Sequence, residues 1–366
     1  MIYLDSASTT KPKPEVVTAV TKCLTETWGN PSSIHSMGQD AKAIVDDARK
    51  AVADLIGAKP SEIIFTSGAC EANSLAICGY LNEHNGEVLI TTNIEHKSII
   101  NITKSYQDKT IVIPVDINGF VDIQQLEKTF WQLTFFAKPI VSIQYANNEI
   151  GVIQNMDKIS RIVHEYGGFL HTDATQIIPD HKIDVTGIDM MSFSGQKLGA
   201  PKGIGVLYVK EGIELSPIIY GSQEKSRRGG TENVPYIAGL GEAVKHIEYP
   251  TGEVRDYFVK QVLTQIPDCY LIGATGNDRL KNNASICFKG VSSEIMVIML
   301  DQKGICVSSG SACNAGLEVS YVLKAIGMDD DAKNVIRFTF GDNTKTEVDI
   351  VVEELVKICK KVRQNS

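Results

Sequence analysis

A short stretch near the middle of the chain decides the fold: residues 192–205 read SFSGQKLGAPKGIG. An apolar run at 188–191 precedes it and a second at 204–209 follows, so Lys197 lies on a loop of small residues between two predicted buried strands. Most lysines are exposed, and a surface lysine in a strand connection is one interpretation. The other is a Schiff-base lysine that binds a carbonyl cofactor, with serine and amide neighbours as donors to a phosphate.

Strand-like runs and helix-length segments alternate over much of the chain. This alternation is typical of a largely parallel sheet wrapped by helices. We therefore predict the α/β class, with a mostly parallel seven-stranded sheet whose strands lie at 62–66, 87–91, 111–115, 139–145, 168–172, 188–193 and 204–209. Ligands of such sheets bind beyond the carboxyl ends of the strands, so the residues that follow each run are candidates for a site.

The length of the chain predicts two domains. Its 366 residues exceed the roughly 250–300 at which a single hydrophobic core stops growing. Beyond residue 245 the pattern changes to short strands mixed with helices, predicted at 270–272, 285–288, 293–302, 318–326, 335–340 and 346–362. We predict a large cofactor-binding α/β domain at 12–245 and a smaller α+β domain formed by 1–11 and 246–366, which carries the loop around Cys313.

Composition excludes several classes of protein. The formal net charge is −8 and no basic run could follow a phosphate backbone, so we expect no direct nucleic-acid binding. No apolar run reaches the roughly 18 residues of a membrane span, and the first residues lack the regions of a signal peptide, so we expect no membrane association and a cytoplasmic protein. The eight cysteines contain no Cys-x-x-Cys pair, which argues against a metal centre and a disulfide framework.

Small residues after the first predicted strand favour an anion site. A helix is predicted to begin near Ala69, and its free N–H groups at Gly68, Ala69 and Cys70 are suited to a cofactor phosphate. An ordinary strand-to-helix turn explains the same residues. His96 follows the next strand; it is either a residue that lies on a cofactor ring and moves protons, or a surface or capping histidine.

Two further strand ends carry polar side chains. Asn147 follows the strand at 139–145, where its amide can bind a phenolate or carboxylate, although loops favour Asn in any case. Asp173 ends the next strand, and can pair with a pyridinium nitrogen or act as a simple cap. Asp173 and Lys197 together predict pyridoxal phosphate as the cofactor.

Six motifs in the right order resemble the cysteine desulfurases of the NifS/IscS type, within the class V aminotransferase family of fold type I. The resemblance covers nearly the whole chain. The motifs lie at 66–69 (TSGA), 95–97 (EHK), 147–151 (NNEIG), 173–176 (DATQ), 192–197 (SFSGQK) and 307–313 (VSSGSAC).

The resemblance implies a role for each matching residue in binding the cofactor. Lys197 forms the aldimine with pyridoxal phosphate, Asp173 pairs with the pyridinium nitrogen, His96 stacks on the ring and Gln176 contacts the phenolic oxygen. Thr231 matches a residue that reaches the phosphate of the neighbouring subunit, which implies a homodimer with shared active sites.

The resemblance also implies that Asn147 and Arg337 hold the substrate carboxylate, Arg337 through a bidentate contact. Two positions depart from the family pattern: Cys70 stands where the family usually has Thr, and Gln196 where it has His. Because both positions line the phosphate in the family, we predict that Ser194, Gln196, Thr231 and backbone N–H groups carry more of the contact and that the cofactor is retained less tightly.

Cys313 lies in a loop of small residues, where a buried structural cysteine is the ordinary interpretation. The resemblance implies instead that Cys313 takes the sulfur of L-cysteine as a persulfide, leaves L-alanine, and passes the sulfur to a protein acceptor for iron–sulfur clusters, a thio-cofactor or tRNA thiolation. Only a few per cent of a free thiol is ionised at neutral pH, and we predict His96 as the acceptor of its proton.

Two alternatives remain open at this point. One is another pyridoxal-phosphate enzyme, such as a selenocysteine lyase, another lyase or a transaminase, which does not need Cys313. The other is a sulfur-transfer scaffold protein whose main role is to bind partners.

Overall fold

The computed structural model describes residues 1–133, 137–309 and 319–364. The strands in these ranges are β1 (Ile2–Tyr3), β2 (Ile63–Thr66), β3 (Leu89–Thr92), β4 (Thr110–Ile113), β5 (Ile140–Ser142), β6 (Phe169–Asp173), β7 (Met190–Ser194), β8 (Gly205–Val209), β9 (Cys269–Leu271), β10 (Asn283–Phe288), β11 (Ile305–Cys306) and β12 (Val335–Thr339). The helices are α1 (Pro14–Thr25), α2 (Ser36–Ile56), α3 (Ala69–Glu83), α4 (Lys97–Ser105), α5 (Ile123–Gln132), α6 (Met156–Glu165), α7 (Gln223–Ser226), α8 (Val234–Lys245), α9 (Glu253–Gln265), α10 (Ser293–Asp301), α11 (Tyr321–Ala325) and α12 (Lys345–Gln364).

Seven strands form the main sheet in the order β2-β8-β7-β6-β5-β3-β4. The pairs from β7 through β6, β5 and β3 to β4 are parallel, whereas β8 is antiparallel to both of its neighbours. The predicted α/β class and the mostly parallel seven-stranded sheet are therefore confirmed. The stretch at 192–205 connects β7 to the one reversed strand, and six carboxyl ends meet at the same edge.

Helices cover both faces of this sheet, which explains why its strands are nearly continuous apolar runs. Every residue of β2, β3, β5, β7 and β8 is buried. Helix α2 packs on one face with seven buried residues, and ends at Gly57, whose φ of 68° places it in the left-handed region that favours glycine. Helix α3 packs on the opposite face through Leu75, Ala76 and Tyr80.

A second, antiparallel sheet has the order β12-β10-β9. It packs with α9, α10 and α12 around Phe258, Phe288 and Phe338. The N-terminal arm joins this part of the molecule, because β1 pairs with β11 and Asp5 forms a bridge with Thr339. The division into domains at 12–245 and at 1–11 with 246–366 stays a prediction. No helix in the described ranges is both long and apolar enough to cross a membrane.

Candidate active site

A cavity of about 530 Å³ lies at the carboxyl ends of β2, β3, β5, β6 and β7. This volume falls within the roughly 300–1,000 Å³ of small-molecule sites. Most of the predicted site residues line it: Gly68, Ala69, Cys70, His96, Asp173, Gln176, Ser194, Gln196, Lys197 and Arg337. These residues come together because the parallel strands direct their carboxyl ends to the same edge.

Two described site residues, Asn147 and Thr231, are not among those that line this cavity. Asn147 is fully buried beside it; its side-chain oxygen accepts the N–H groups of Glu149 (2.8 Å) and Ile150 (2.9 Å), and its amide donates to the carbonyl of Ile94 (3.0 Å). Thr231 is exposed at the protein surface. Cys313 lies outside the described residues.

The N-terminal arm holds the lysine loop in place. Lys197 ends a short 3₁₀ turn, Gly195–Lys197, and its Nζ donates to the carbonyl of Ser8. Thr10 donates from its N–H (3.0 Å) and from its hydroxyl (2.8 Å) to the carbonyl of Gln196. Lys197 therefore lines the cavity on a loop that the arm holds through Ser8 and Thr10.

The start of α3 forms one end of the cavity and is suited to an anion. Gly68 is the N-cap of this helix, so the first N–H groups of the helix have no intrahelical partner and attract an anion. Gly205 at the start of β8 permits this geometry, because a Cβ there would lie 2.5 Å from the Cα of Gly68. Cys70 is exposed at the same helix end, and Ser194 and Gln196 line the cavity with it.

Asp173 is held by two donors. The amide of Asn73 donates to one carboxylate oxygen (2.7 Å) and the N–H of Thr175 to the other (3.0 Å). His171 lies two residues earlier on the same face of β6, between the hydroxyls of Ser142 (2.8 Å) and Ser192 (2.9 Å). Burial lowers the pKa of His171 to about 4, so this histidine is neutral near pH 7 and leaves the charge of Asp173 available to a ligand.

Arg337 supplies a buried cation to the lining of the cavity. It is 3% exposed and donates to the carbonyl of Asn148 (2.9 Å), to Asp5 (2.8 Å) and to the hydroxyl of Ser8 (2.8 Å). Its Nε has no hydrogen-bond partner within the described part of the chain. A buried guanidinium with an unused donor beside a cavity is suited to a carboxylate.

Sequence reasoning missed two buried carboxyl groups near this cavity. Glu95 accepts hydrogen bonds from the hydroxyl of Thr92 (2.6 Å) and the N–H of Gln144 (2.9 Å), and burial raises its pKa to about 8. Glu149 lines the cavity and accepts the hydroxyl of Ser320 (2.5 Å); burial raises its pKa to about 7. Both stand inside motifs quoted above, but no local pattern marks a glutamate as buried.

Comparison with known proteins identifies the family. Residues 2–351 match the family described as Aminotransferase class-V, and the chain belongs to this family of pyridoxal-phosphate-dependent enzymes. The chain is similar to the cysteine desulfurase IscS of Dictyoglomus turgidum, with 40% identity over 99% of this chain and 95% of that protein. It is also 38% identical to cysteine desulfurase IscS 1 of Archaeoglobus fulgidus, over 100% of this chain and 99% of that protein.

Solved structures give the same fold. A NifS-like protein from Rickettsia africae has a TM-score of 0.89 and 31% identity, covering 98% of this chain and 99% of that one. SspA in complex with cysteine has a TM-score of 0.82 and 31% identity, covering 93% and 99%.

The residues present fit pyridoxal phosphate. A helix N-terminus with hydroxyl and amide neighbours suits the phosphate, a buried aspartate suits the ring nitrogen, and a lysine amine suits the carbonyl carbon. Thr175, which lines the cavity, keeps a buried hydroxyl without a partner among the described residues. Within the described part of the chain, no group of three or more His, Cys, Asp or Glu side chains could hold a metal ion.

Proposed function

We propose that this protein is a cysteine desulfurase that converts L-cysteine to L-alanine and forms a persulfide on Cys313. The observation that carries the proposal is that Lys197, Asp173 and Arg337 line one cavity. The reaction needs an amine, a carboxylate that pairs with the ring nitrogen and a cation that binds the substrate carboxylate, and these three residues supply them. Similarity over the whole chain to proteins named cysteine desulfurase supports the substrate.

Each group of the cofactor has a residue suited to hold it. Lys197 would bind the carbonyl carbon covalently, Asp173 would pair with the ring nitrogen, and the start of α3 with Ser194 and Gln196 would hold the phosphate. Gln176, whose amide now donates to the carbonyl of Ala7 (3.2 Å), contacts the phenolic oxygen. When bound, pyridoxal phosphate supplies an electron sink for charge that develops at the substrate Cα.

The chain's own residues bind the substrate and move its proton. Arg337 binds the carboxylate of L-cysteine through its Nε, which has no partner among the described residues, and a neighbouring N–H. The predicted role of Asn147 as a second donor requires its buried amide, which donates to the carbonyl of Ile94, to turn toward the cavity. Once the substrate amine has displaced it from the cofactor, the amine of Lys197 removes the Cα proton. Lys197 and Arg337 border the same cavity. Arg337 can therefore hold the carboxylate of a small amino acid while Lys197 reaches its Cα proton.

The sulfur transfer balances in atoms and electrons. The thiolate of Cys313 attacks the substrate sulfur, a sulfur–sulfur bond forms and the carbon–sulfur bond breaks. The electron pair of the broken bond stays with the substrate, whose Cβ gains one proton and becomes the methyl group of alanine, while Cα regains the proton that it lost. Cysteine plus the Cys313 thiol thus gives alanine plus the Cys313 persulfide, without an external oxidant.

We propose a homodimer in which Thr231 of one subunit completes the phosphate site of the other. The N–H of Gly229 donates to the carbonyl of Ile219 (2.8 Å), which keeps Tyr220 beside the segment that carries Thr231. Tyr220 is 84% exposed, and Trp28 (70%) and Ile34 (95%) are further exposed apolar side chains of this chain. An aromatic side chain left exposed beside Thr231 supports an interface at this segment.

Subunit mixing tests the shared site. Lys197→Ala and Thr231→Ala are each expected to lower activity as homodimers. After the two are unfolded together and refolded, a mixed dimer has one doubly altered site and one intact site, so activity returns. Activity that stays at the average of the parents, with mixed dimers detected by native mass spectrometry, contradicts the shared site.

Mass spectrometry after cysteine addition tests the activity itself. We expect the mass of pyridoxal phosphate on Lys197 after reduction with borohydride and one added sulfur on Cys313, with alanine in the solution. Keto-acid formation in place of alanine would indicate a transaminase. We further propose that the protein is cytoplasmic. It passes the sulfur to a protein acceptor for iron–sulfur cluster assembly or thiolation.

A further inference from the structure

A buried amide joins the two cofactor-facing residues Asp173 and His96. Asn73, in the first turns of α3, is fully buried, and its Nδ2 donates to Asp173 Oδ2 (2.7 Å) and to Ser98 Oγ (3.0 Å). Ser98 Oγ lies 2.9 Å from Nδ1 of His96, and the N–H of Ser98 donates to the same nitrogen (3.2 Å). Residues from α3, α4 and β6 therefore form one hydrogen-bonded chain.

The direction of these bonds fixes the proton on the histidine ring. A backbone N–H can only donate, so Nδ1 of His96 is an acceptor and the neutral ring carries its hydrogen on Nε2. Ser98 Oγ already accepts from Asn73, so the hydroxyl hydrogen of Ser98 is free to point at His96. Both donors of Ser98 thus favour the same tautomer.

Burying the amide of Asn73 costs free energy of folding. The Oδ1 atom of Asn73 is buried and has no hydrogen-bond donor among the residues that the structure describes. An unsatisfied buried carbonyl oxygen destabilises a fold, and an apolar side chain would avoid it. The amide nitrogen, which reaches both Ser98 and Asp173, is the part of Asn73 that makes polar contacts.

We propose that Asn73 and Ser98 are positioning residues that hold Asp173 and His96 as one unit, with His96 fixed as the Nε2–H tautomer. In this form His96 presents a hydrogen-bond donor to the ligand in the cavity. The neutral ring then has no acceptor nitrogen away from Ser98, so His96 donates to the bound ligand rather than accepting the thiol proton of Cys313. The inference rests on the function proposed above, because it assigns a task to Asp173 and His96 in that reaction.

The tautomer can be measured without cofactor or substrate. Long-range ¹H–¹⁵N NMR of the full-length protein with ¹⁵N-labelled histidine, assigned with His96→Asn, is expected to show His96 protonated at Nε2. In Ser98→Ala the Nδ1-protonated form becomes detectable, whereas Ser98→Thr, which keeps the hydroxyl, resembles the wild type. A wild-type ring protonated at Nδ1 overturns the proposal. Because neither cofactor nor cysteine is present, this result does not depend on whether the proposed function is right.

The holoenzyme gives the second readout. Asn73→Ala and Ser98→Ala are expected to change the visible circular dichroism of bound pyridoxal phosphate and to lower kcat about tenfold, with KM for cysteine changed less than about twofold. Ser98→Thr, which keeps the hydroxyl, is expected to give the wild-type dichroism and kcat. The exposed residues Asn101 and Ser105 on α4 give matched controls, and Asn101→Ala and Ser105→Ala are expected to match the wild type. Wild-type dichroism and kcat in Ser98→Ala, which leaves the core residue Asn73 in place, overturn the proposal.

Discussion

The carboxylate of Asp5 lies 2.8 Å from the guanidinium of Arg337, although 332 positions separate them in the chain. Ser8 strengthens the contact, because its hydroxyl accepts from Arg337 and donates to Asp5, each at 2.8 Å. The N-terminal arm therefore orients the buried cation that we assign to the substrate carboxylate. Nε of Arg337 has no hydrogen-bond partner among the residues that the structure describes.

Removing this ion pair is expected to affect both stability and substrate binding. Asp5→Ala leaves a buried guanidinium without its anion, and we expect the free energy of unfolding to fall by about 2–3 kcal/mol. KM for cysteine rises because Arg337 loses its fixed orientation. Urea denaturation and steady-state kinetics measure the two effects. Glu248→Ala, which breaks the exposed pair with Lys13, serves as the control; equal effects of the two variants would contradict the argument.

Cys313 is predicted to be the cysteine that carries sulfur. Cys313→Ala is expected to lose persulfide formation and sulfide release while keeping the absorbance of bound cofactor, because it removes only the attacking thiol. Cys70→Ala, at a cysteine that lines the same cavity, keeps the persulfide. Sulfide release at the wild-type rate by the Cys313 variant would falsify its assignment as the carrier.

Cofactor affinity is predicted to rise when the two departures from the family pattern are reversed. Cys70→Thr adds a hydroxyl donor and Gln196→His exchanges an amide for an imidazole at the proposed phosphate site, and charge-assisted hydrogen bonds of this kind lower Kd by about tenfold or more. Equilibrium dialysis of apoprotein with pyridoxal phosphate measures the change. Cys269→Thr, at a cysteine that does not line the cavity, is the control, and an unchanged Kd in the double variant refutes the prediction.

Ser320 is expected to contribute more than an ordinary helix cap. Its hydroxyl accepts the N–H groups of Val322 and Leu323 and also donates to the buried Glu149. Ser320→Ala is expected to cost about 2–3 kcal/mol of unfolding free energy, because both the cap and the donor to a buried carboxyl are lost. Asn155→Ala removes a cap alone and is expected to cost about 1 kcal/mol. Equal losses in thermal or urea unfolding contradict a special role for the contact with Glu149.

Glu95 is expected to make stability depend on pH. Burial raises its pKa from 4.5 to about 8, so between these values the folded protein holds a proton that the unfolded chain has released. The contribution of Glu95 is therefore fully present below about pH 4.5 and is lost as pH rises toward 8.

Replacing Glu95 with glutamine removes this dependence. Relative to the wild type, Glu95→Gln gains stability with rising pH, by up to about 1.4 kcal/mol per pH unit. Urea unfolding between pH 5 and 8 measures the slope. Glu165→Gln, at an exposed residue of α6, is the control, and its free energy of unfolding should change with pH as that of the wild type does. The same pH dependence in Glu95→Gln would rule out the buried proton.

The sheet was predictable because its signals are local. Both faces of the central strands are covered, so each strand is a short apolar run, and small residues mark the end of each run. The strand-end rule then placed His96, Asp173 and Lys197 at one edge. The strand predicted at 139–145 is shorter, Ile140–Ser142, because Gln144 and the residues after it turn toward Glu95 and Ile94.

The amino-acid sequence by itself determined the fold class, the position of the lysine loop and strand-end residues such as His96 and Asp173, because strand and turn propensities act over a few neighbours. Only the tertiary structure decided which polar groups meet: Asp5 with Arg337, Asn73 with Asp173 and Ser98, and Ser320 with Glu149. Charged and amide side chains are normally exposed, so no periodicity marks those that are buried. Their partners come from distant segments, which the packed sheets and helices alone bring within hydrogen-bonding distance.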